Sequence, residues 1–230
     1  MKLECHNITY RYPNAEHAVL SELSFRIDRP GFHALFGPSG VGKTSLAKIL
    51  TGHLPDFSGE VTAQDLDRRL FTYNFERLPD WSDVGRHLVK ITPPGRESLK
   101  DELVDTFGLG EITGKRFSGL SLGQKNRINL IRYLVQDFDL LVMDESLANV
   151  DEPMRETIIL KIKALFPDRC FLYISHNVSE VSKFCHRVLV LRDAAKQPQA
   201  LFVSGRDATG ERPPERMDIE KTMLEVMNAC

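Results

Sequence analysis

A glycine-rich stretch near the start of the chain constrains its fold more than any other feature. It lies between an apolar segment, Phe32–Phe36, and a segment with helical periodicity, Lys43–Leu50. Glycine adopts backbone conformations that a Cβ opposes, so the N–H groups of such a loop can converge on phosphate oxygens. The pattern G-x-x-x-x-G-K-S/T is complete and in the right context, which predicts a phosphate-binding loop. The predicted nucleotide-binding residues of the loop are Gly37, Pro38, Ser39, Gly40, Val41, Gly42, Lys43, Thr44 and Ser45.

Two side chains of this loop have predicted roles of their own. The ammonium of Lys43 is expected to reach the β- and γ-phosphates as a point charge, which makes it a candidate catalytic residue. The hydroxyl of Thr44 is a candidate ligand of Mg²⁺, which prefers oxygen donors. The loop therefore predicts ATP and Mg²⁺ as the ligands of the site.

A second apolar segment, Phe138–Met143, ends in two acids, Asp144 and Glu145. A buried strand with this ending predicts that Asp144 holds Mg²⁺ through water and that Glu145 polarises the attacking water as a general base. The alternative is an acidic cap on a helix that follows the strand. The complete phosphate loop earlier in the chain favours the catalytic interpretation.

Alternating strands and helices predict an α/β fold built on a largely parallel sheet. Two loosely alternating segments, Lys2–Tyr10 and Ala18–Ile27, predict an antiparallel β subdomain at one edge. Residues 77–137 combine helical segments with Pro- and Gly-rich loops, which predicts a small inserted helical subdomain. Residues 208–216 are expected to form a linker, and residues 217–230 a C-terminal helix. We expect this helix to pack on its own chain, with binding to a partner as the alternative.

The composition is that of an ordinary globular protein and excludes several classes of function. Hydrophobic residues make up 42% of the 230 positions, and the net charge of −2 argues against broad binding to nucleic acid. No run approaches the ~18 apolar residues of a membrane span, and the polar N-terminus does not resemble a signal peptide. Any membrane role is therefore expected through a partner. We expect reduced thiols, not disulfides or a zinc site, from Cys5, Cys170, Cys185 and Cys230.

Between the phosphate loop and the acidic pair lies Leu120–Gln124, with the sequence LSLGQ, directly before a predicted helix, Asn126–Val135. This segment resembles the LSGGQ signature of the ATP-binding cassette (ABC) transporter ATPases, and its place in the chain is similar to theirs. The resemblance extends from the first strands to about Leu191. It implies a P-loop NTPase fold, with an ABC ATPase domain over residues 1–207.

The resemblance also implies roles for individual residues. Tyr12 corresponds to the aromatic residue that stacks on adenine, although a tyrosine on an edge strand is the alternative. Asp151 stands at the D-loop position, and His176 is similar to the switch histidine, a catalytic residue of the family. The residues expected to act on the nucleotide of a second cassette are Ser121, Leu122, Gly123 and Gln124.

The chain departs from the family pattern at three places. Leu122 replaces the first glycine of the signature, and Ser146 replaces the proline that usually follows the acids. The glutamine expected after the Arg69–Tyr73 strand is missing. Glu76 is the candidate for its place and for a metal ligand, with Asn74 as the alternative. Glu76 could equally be a solvated acid that faces a permease helix.

These features predict an ATPase subunit of a membrane transporter, most similar to an importer, with ATP hydrolysed in a head-to-tail dimer. The segment Leu78–Trp81 loosely resembles the nitrate, sulfonate and taurine importer group. The expected partners are a second ABC ATPase subunit, transmembrane permease subunits and a substrate-binding protein, with no nucleic acid. The expected location is cytoplasmic, on the inner face of the cell membrane. The alternatives are an ABC ATPase that remodels a protein complex without transport, and a nucleotide switch without catalysis, which Glu145 and His176 disfavour.

Overall fold

The strands form two sheets in the computed structural model, which describes residues 1–74, 76–79, 81–211 and 213–230. The strands are β1 (Lys2–Tyr10), β2 (Leu20–Ile27), β3 (Gly31–Phe36), β4 (Ser58–Gln64), β5 (Arg69–Tyr73), β6 (Leu140–Asp144), β7 (Cys170–Ile174), β8 (Arg187–Leu191) and β9 (Ala200–Ser204).

The helices lie between these strands and after the last of them. They are α1 (Lys43–Leu50), α2 (Val84–Ile91), α3 (Glu97–Thr106), α4 (Leu122–Leu134), α5 (Glu152–Leu165), α6 (Val178–Phe184) and α7 (Arg216–Ala229). Two short 3₁₀ helices lie at Gly110–Ile112 and Phe117–Gly119. Among the described residues, no helix combines the length and the apolar character that a membrane span requires.

The larger sheet has the strand order β5-β6-β7-β3-β8-β9. Strands β6, β7, β3 and β8 run parallel, and β9 is antiparallel to β8. Residues of β6 and β7 are buried throughout, as expected for parallel strands covered on both faces. The predicted α/β fold with a largely parallel sheet is confirmed.

The smaller sheet is antiparallel and has the order β2-β1-β4. The predicted antiparallel pairing of the first two segments is confirmed, but they form a separate sheet with β4, which the sequence did not predict. In β4 only Val61 and Ala63 are half-buried and the other residues are exposed, so the apolar alternation is too short to mark a strand. Strand β9 was also not predicted, because its five residues follow the last recognisable strand-helix alternation.

The chain divides into two compact units. The phosphate-loop unit consists of Met1–Phe71, Phe138–Asp144 and Phe166–Cys230. The helical unit consists of Thr72–Asp137 and Glu145–Leu165. The helical unit therefore includes the predicted insertion, 77–137, and also α5.

The core of the phosphate-loop unit joins both sheets to α1. Its members include Ile8 and Leu23 from the antiparallel sheet, Leu46 from α1, and Val142 and Leu172 from the parallel sheet. Apolar burial of this extent is the main source of stability for a fold of this size.

Helix α4 lies against α2 and α3 in the helical unit, and α3 also contacts α5. Phe107 and Phe117 are fully buried there, and the ammonium of Lys161 on α5 lies 2.6 Å from the carboxylate of Glu102 on α3. These contacts explain why α5 belongs with the insertion and not with the parallel sheet.

The C-terminal helix α7 packs on α6 and β9 within the phosphate-loop unit. The Arg206 guanidinium donates to Thr222 Oγ1 at 2.8 Å and to the Asp218 carbonyl at 3.0 Å. The predicted linker includes Ala208, which is buried, and Arg212, which lies outside the described residues. Asp80 of the importer-like segment also lies outside them.

None of the four cysteines, all of which are described, forms a disulfide. Burial raises the pKa of the thiols of Cys5 and Cys170 to about 12. Both thiols therefore stay protonated at neutral pH and behave as small apolar side chains.

Candidate nucleotide site

The register of the parallel sheet brings three predicted segments to one edge. Leu35 of β3 and Asp144 of β6 both pair with Ile174 of β7. The phosphate loop follows β3, and His176 follows β7 by two residues. Since ligands of open α/β sheets bind beyond the carboxyl ends of the strands, this edge is the candidate nucleotide site.

Gly37 begins the phosphate loop at a point where no side chain fits. A Cβ on Gly37 would lie 2.2 Å from the carbonyl oxygen of Leu191, and the φ of +149° is strained for other residues. The end of β8 therefore fixes the start of the loop. Glycine at this position keeps the loop close to the edge of the sheet.

Lys43, the first residue of α1, is 7% exposed. Its ammonium donates to the carbonyl oxygens of Gly37 and Pro38, at 2.8 and 2.7 Å. The lysine thus lies across the loop whose N–H groups are predicted to bind phosphate. The contact between Lys43 and phosphate oxygens stays a prediction.

Thr44 and Asp144 meet, although they are 100 positions apart in the sequence. The Thr44 hydroxyl donates to Oδ2 of Asp144 at 2.6 Å, and Asp144 is buried. A hydroxyl and a carboxylate side by side offer the hard oxygen ligands that Mg²⁺ prefers, so the residues fit this ion.

Tyr12 lies beside the loop, and its ring is about half exposed. Its hydroxyl and that of Ser45 on α1 are 2.6 Å apart, and its ring contacts Tyr10 edge-on at 5.0 Å. The ring is therefore held by contacts on two sides. An exposed aromatic face can stack on a base, and stacking of Tyr12 on adenine stays a prediction.

His176 is exposed on a short loop between β7 and α6. The loop is held on both sides of the histidine. Ser175 donates its hydroxyl to the carboxylate of Glu180 at 2.9 Å, and Asn177 caps α6 by accepting from the Glu180 N–H at 3.1 Å. These bonds fix the backbone around His176 while the imidazole faces outward.

Glu145 has a left-handed backbone conformation, with φ of 51°. This is uncommon for a residue with a Cβ and occurs at turns and at functional sites. Its carbonyl accepts from the Ala148 N–H at 2.9 Å, which closes a turn directly after the Asp144 strand. The candidate base therefore sits in a strained turn, in the helical unit.

The signature segment caps α4. Ser121 Oγ accepts from the Gln124 N–H at 3.2 Å, and the Gln124 side chain accepts from the Ser121 N–H at 3.0 Å. This capping box starts the helix at Leu122, four residues earlier than predicted. The reciprocal bonds explain the difference, because they supply partners for N–H groups at the helix start.

The two central positions of the signature have opposite surroundings. Leu122 is 47% exposed, so its side chain projects into solvent. A Cβ on Gly123 would lie 2.2 Å from the carbonyl oxygen of Asn149, a backbone atom. Asn126 also donates to the Ala148 carbonyl at 2.5 Å. The close approach of the Asn149 carbonyl explains why the family glycine is kept at Gly123, whereas the preceding family glycine is replaced by Leu122.

Asp151, the predicted D-loop residue, caps α5. Its carboxylate accepts from the Met154 N–H at 3.0 Å. Its carboxylate also favours the charged form of Arg127 on α4, although burial lowers the pKa of that guanidinium overall. Asp151 and the signature helix therefore interact within the helical unit.

Glu76 accepts hydrogen bonds from three side chains of α4, Asn129, Arg132 and Tyr133. Its side chain is 14% exposed, so it is not a solvated loop acid. Its predicted role as a metal ligand remains a prediction, as does the alternative role of Asn74. The three partners of Glu76 belong to no motif and were not predicted from the sequence.

Comparisons with known proteins identify the family. The ABC transporter family profile matches residues 20–148, more than half of the chain. The zinc transport system ATP-binding protein TroB of Treponema pallidum is 33% identical over 75% of this chain and 72% of its own length. The chain belongs to the ABC transporter family, as a nucleotide-binding domain with ATPase activity.

Two further relatives are named as ATP-binding proteins of import systems. The taurine import ATP-binding protein TauB of Roseobacter denitrificans is 29% identical over 82% of this chain and 77% of its own length. The molybdenum import ATP-binding protein ModC of Brucella suis is longer, and the chain spans 50% of it. A bacterial Atm1-family ABC exporter with ATP bound shares the fold, with a TM-score of 0.73 and 18% identity over 99% of this chain and 41% of the exporter chain.

Proposed function

We propose that this chain is the ATP-hydrolysing subunit of a membrane importer and that it works in a head-to-tail dimer. The observation that carries the ATP-hydrolysing role is the contact of Thr44 with Asp144, at the edge of the sheet where the phosphate loop begins. The import names of TauB and ModC support the direction of transport.

In the proposed reaction, the phosphate loop and Lys43 bind the β- and γ-phosphates, and Tyr12 stacks on adenine. Thr44, and Asp144 through water, would hold Mg²⁺, which would neutralise charge that develops on the phosphates. Glu145 accepts a proton from the attacking water, and His176 contacts the γ-phosphate. Tight binding of ATP in the closed state drives closure of the dimer, and loss of the γ-phosphate opens it.

The signature segment is proposed to act on the nucleotide of the second chain. Ser121 and Gly123 stand at the N-terminus of α4, where the helix dipole and the first N–H groups favour an anion. Ser121 is exposed, so a partner can reach it. A second ATPase subunit thus completes each site.

Permease subunits are proposed to bind the helical unit. Trp81 is 86% exposed, and it lines a cavity of about 530 Å³ together with Arg86, Lys90 and Arg116. An exposed tryptophan beside a polar cavity is typical of a surface that a partner covers. Permease binding would place the subunit on the inner face of the membrane, and a substrate-binding protein would complete an importer.

The test is the substitution Glu145→Gln, which keeps the shape of the side chain and removes its basicity. A positioned general base contributes ~10²–10⁴-fold, so we expect kcat to fall by about that factor while ATP still binds. With MgATP, the variant should elute as a dimer in size-exclusion chromatography. The matched control is Glu225→Gln, the same substitution at an exposed position on α7, and it should keep wild-type turnover.

Wild-type turnover in Glu145→Gln would show that the base lies elsewhere. Monomeric elution of a variant that binds ATP would contradict the nucleotide-driven dimer. Reconstitution of the chain with candidate permeases in vesicles then measures whether its ATPase activity accompanies uptake.

A further inference from the structure

A buried polar network surrounds Glu76 in the helical unit. We define the Glu76 network by its six residues, Thr72, Glu76, Asn129, Arg132, Tyr133 and Ser146. Tyr133 Oη lies 2.9 Å from both carboxylate oxygens of Glu76, and Asn129 Nδ2 lies 3.0 Å from Oε2. Arg132 Nη1 lies 3.4 Å from Oε1 and 2.7 Å from the Asn129 side-chain oxygen.

The network continues from Asn129 to Thr72 and Ser146. Asn129 Nδ2 donates to Thr72 Oγ1 at 3.1 Å, and the Ser146 hydroxyl donates to the Thr72 carbonyl at 3.2 Å. All three residues are buried. Buried polar groups are costly without partners, so these bonds specify one arrangement of the segments that carry them.

A carboxylate suits this place better than the amide of the family. The donors that converge on Glu76 are an amide, a guanidinium and a phenol, and each needs an acceptor. A glutamine has a single oxygen, and its NH₂ group would face one of these donors. Burial, together with the charge of Glu76, raises the pKa of Tyr133, so the phenol stays a donor at neutral pH.

The network joins three segments that matter for the reaction. Asn129, Arg132 and Tyr133 lie on α4, which begins at the signature segment. Thr72 is the last buried residue of β5 and lies four residues before Glu76. Ser146 directly follows Glu145, and its hydroxyl makes a bond that the proline of the family cannot make. Two departures from the family pattern, Glu76 and Ser146, are therefore parts of one network.

We propose that Glu76 is a positioning residue, which fixes the loop after β5 to the signature helix and, through Asn129, Thr72 and Ser146, holds Glu145 in place for hydrolysis. This inference rests on the proposed function, because it assigns Glu145 as the base. Glu76 then acts through its neighbours and does not ligate Mg²⁺.

Three variants test the role, Glu76→Gln, Tyr133→Phe and the double substitution. Each single variant weakens a charge-assisted bond, and we expect kcat to fall about tenfold while the KM for ATP changes less than about twofold. The double variant should lose little more than Glu76→Gln alone, because both changes affect the same bonds. The Mg²⁺ concentration for half-maximal activity should stay at the wild-type value.

Glu111→Gln, an exposed acid in the same unit, is the matched control and should behave as wild type. Circular dichroism at the assay temperature identifies any variant that unfolds. Tyr133→Phe keeps the ring and tests the network even if Glu76→Gln does not fold. A lower Mg²⁺ requirement in Glu76→Gln would overturn the proposal in favour of a metal ligand.

Unchanged kcat in folded Glu76→Gln and Tyr133→Phe would also overturn the positioning role, with the proposed function intact. A folded wild-type chain that binds MgATP but never hydrolyses it would instead overturn the assignment of Glu145, and the positioning role with it. The two failures are thus distinguished by the wild-type assay.

Discussion

The phosphate-loop unit and the helical unit follow the family pattern to different degrees. In the phosphate-loop unit the glycine-rich motif is complete, and Asp144, Tyr12 and His176 are the residues predicted for three further family positions. The departures Leu122, Ser146 and the missing glutamine all fall in the helical unit.

The difference has a physical reason. The residues of the phosphate-loop unit must match ATP, whose phosphates are the same in every member of the family. Some positions of the helical unit make contacts within the chain and not with ATP. Several types of side chain can make such contacts, so these positions can differ between members of the family. Leu122 projects into solvent, and Ser146 and Glu76 form bonds of their own.

The largest effect is expected in the phosphate-loop unit, from Lys43→Ala. The variant loses the ammonium that crosses the loop and its charge-assisted bonds to phosphate. ATPase activity should fall to the background of the assay, with the circular dichroism spectrum unchanged. Unaltered nucleotide affinity together with unaltered turnover would contradict the assignment of the loop.

A mixed dimer tests whether the helical unit acts across the interface. Ser121→Arg chains and Lys43→Ala chains should each be inactive alone, because arginine at the signature blocks the nucleotide of the partner. Mixed in equal amounts, they should recover about a quarter of wild-type activity, since half of the dimers carry both defects in one site. No recovery would mean that Ser121 acts on its own chain.

Gly123→Ala measures how tightly the signature helix packs on the turn after Glu145. The new Cβ would meet the Asn149 carbonyl oxygen at 2.2 Å, and such overpacking costs about 1–3 kcal/mol. We expect lower unfolding free energy and lower ATPase activity. Gly119→Ala is the control, because its Cβ would meet nothing within 4 Å. Equal stability of the two variants would contradict the packing argument.

The sequence predicts the site residues of the phosphate-loop unit better than the contacts of the helical unit. The spacing of a short motif determines the phosphate loop, so its residues could be assigned without a structure. The bonds of Glu76 join residues 53 to 57 positions apart, and the bond between Thr72 and Ser146 spans 74 positions. No local pattern encodes such pairs. Strand β4 was missed because its apolar alternation is limited to Val61 and Ala63.

His33 gives the phosphate-loop unit a predicted pH dependence. It is buried in β3, its Nε2 lies 3.1 Å from the Arg29 carbonyl oxygen, and its Nδ1 has no partner among the described residues. Burial lowers the pKa of His33 from 6.5 to about 4. Below pH 6.5 His33 binds a proton in the unfolded chain but not in the folded chain. The contribution of His33 to the free energy of unfolding is therefore complete above pH 6.5 and is lost as the pH falls towards 4.

Urea unfolding at pH 7 and pH 5 measures this effect. Between pH 7 and pH 5 the free energy of unfolding of the wild type should fall by about 2 kcal/mol more than that of His33→Gln. In the helical unit, burial also lowers the pKa of His87, which is only half-buried, so His87→Gln should change the pH dependence less. The exposed His17 supplies the control, His17→Gln. Identical curves for His33→Gln and wild type would contradict the prediction.

The smallest effect is expected from Leu122→Gly, which restores the glycine of the family signature. Leu122 occupies the first helical position of α4 and is 47% exposed, so its removal leaves no cavity. Glycine within a helix costs up to about 1 kcal/mol, and less at the first position, where the capping box of Ser121 and Gln124 remains. ATPase activity should stay within about twofold of wild type, because the N–H groups at the start of α4 are unchanged. Leu122→Ala separates backbone freedom from side-chain size, since alanine removes the leucine side chain without adding flexibility. A rise in kcat of tenfold or more in both variants would show that the leucine obstructs the partner's nucleotide. The signature segment of the helical unit, and not the phosphate loop, would then limit the ATPase activity.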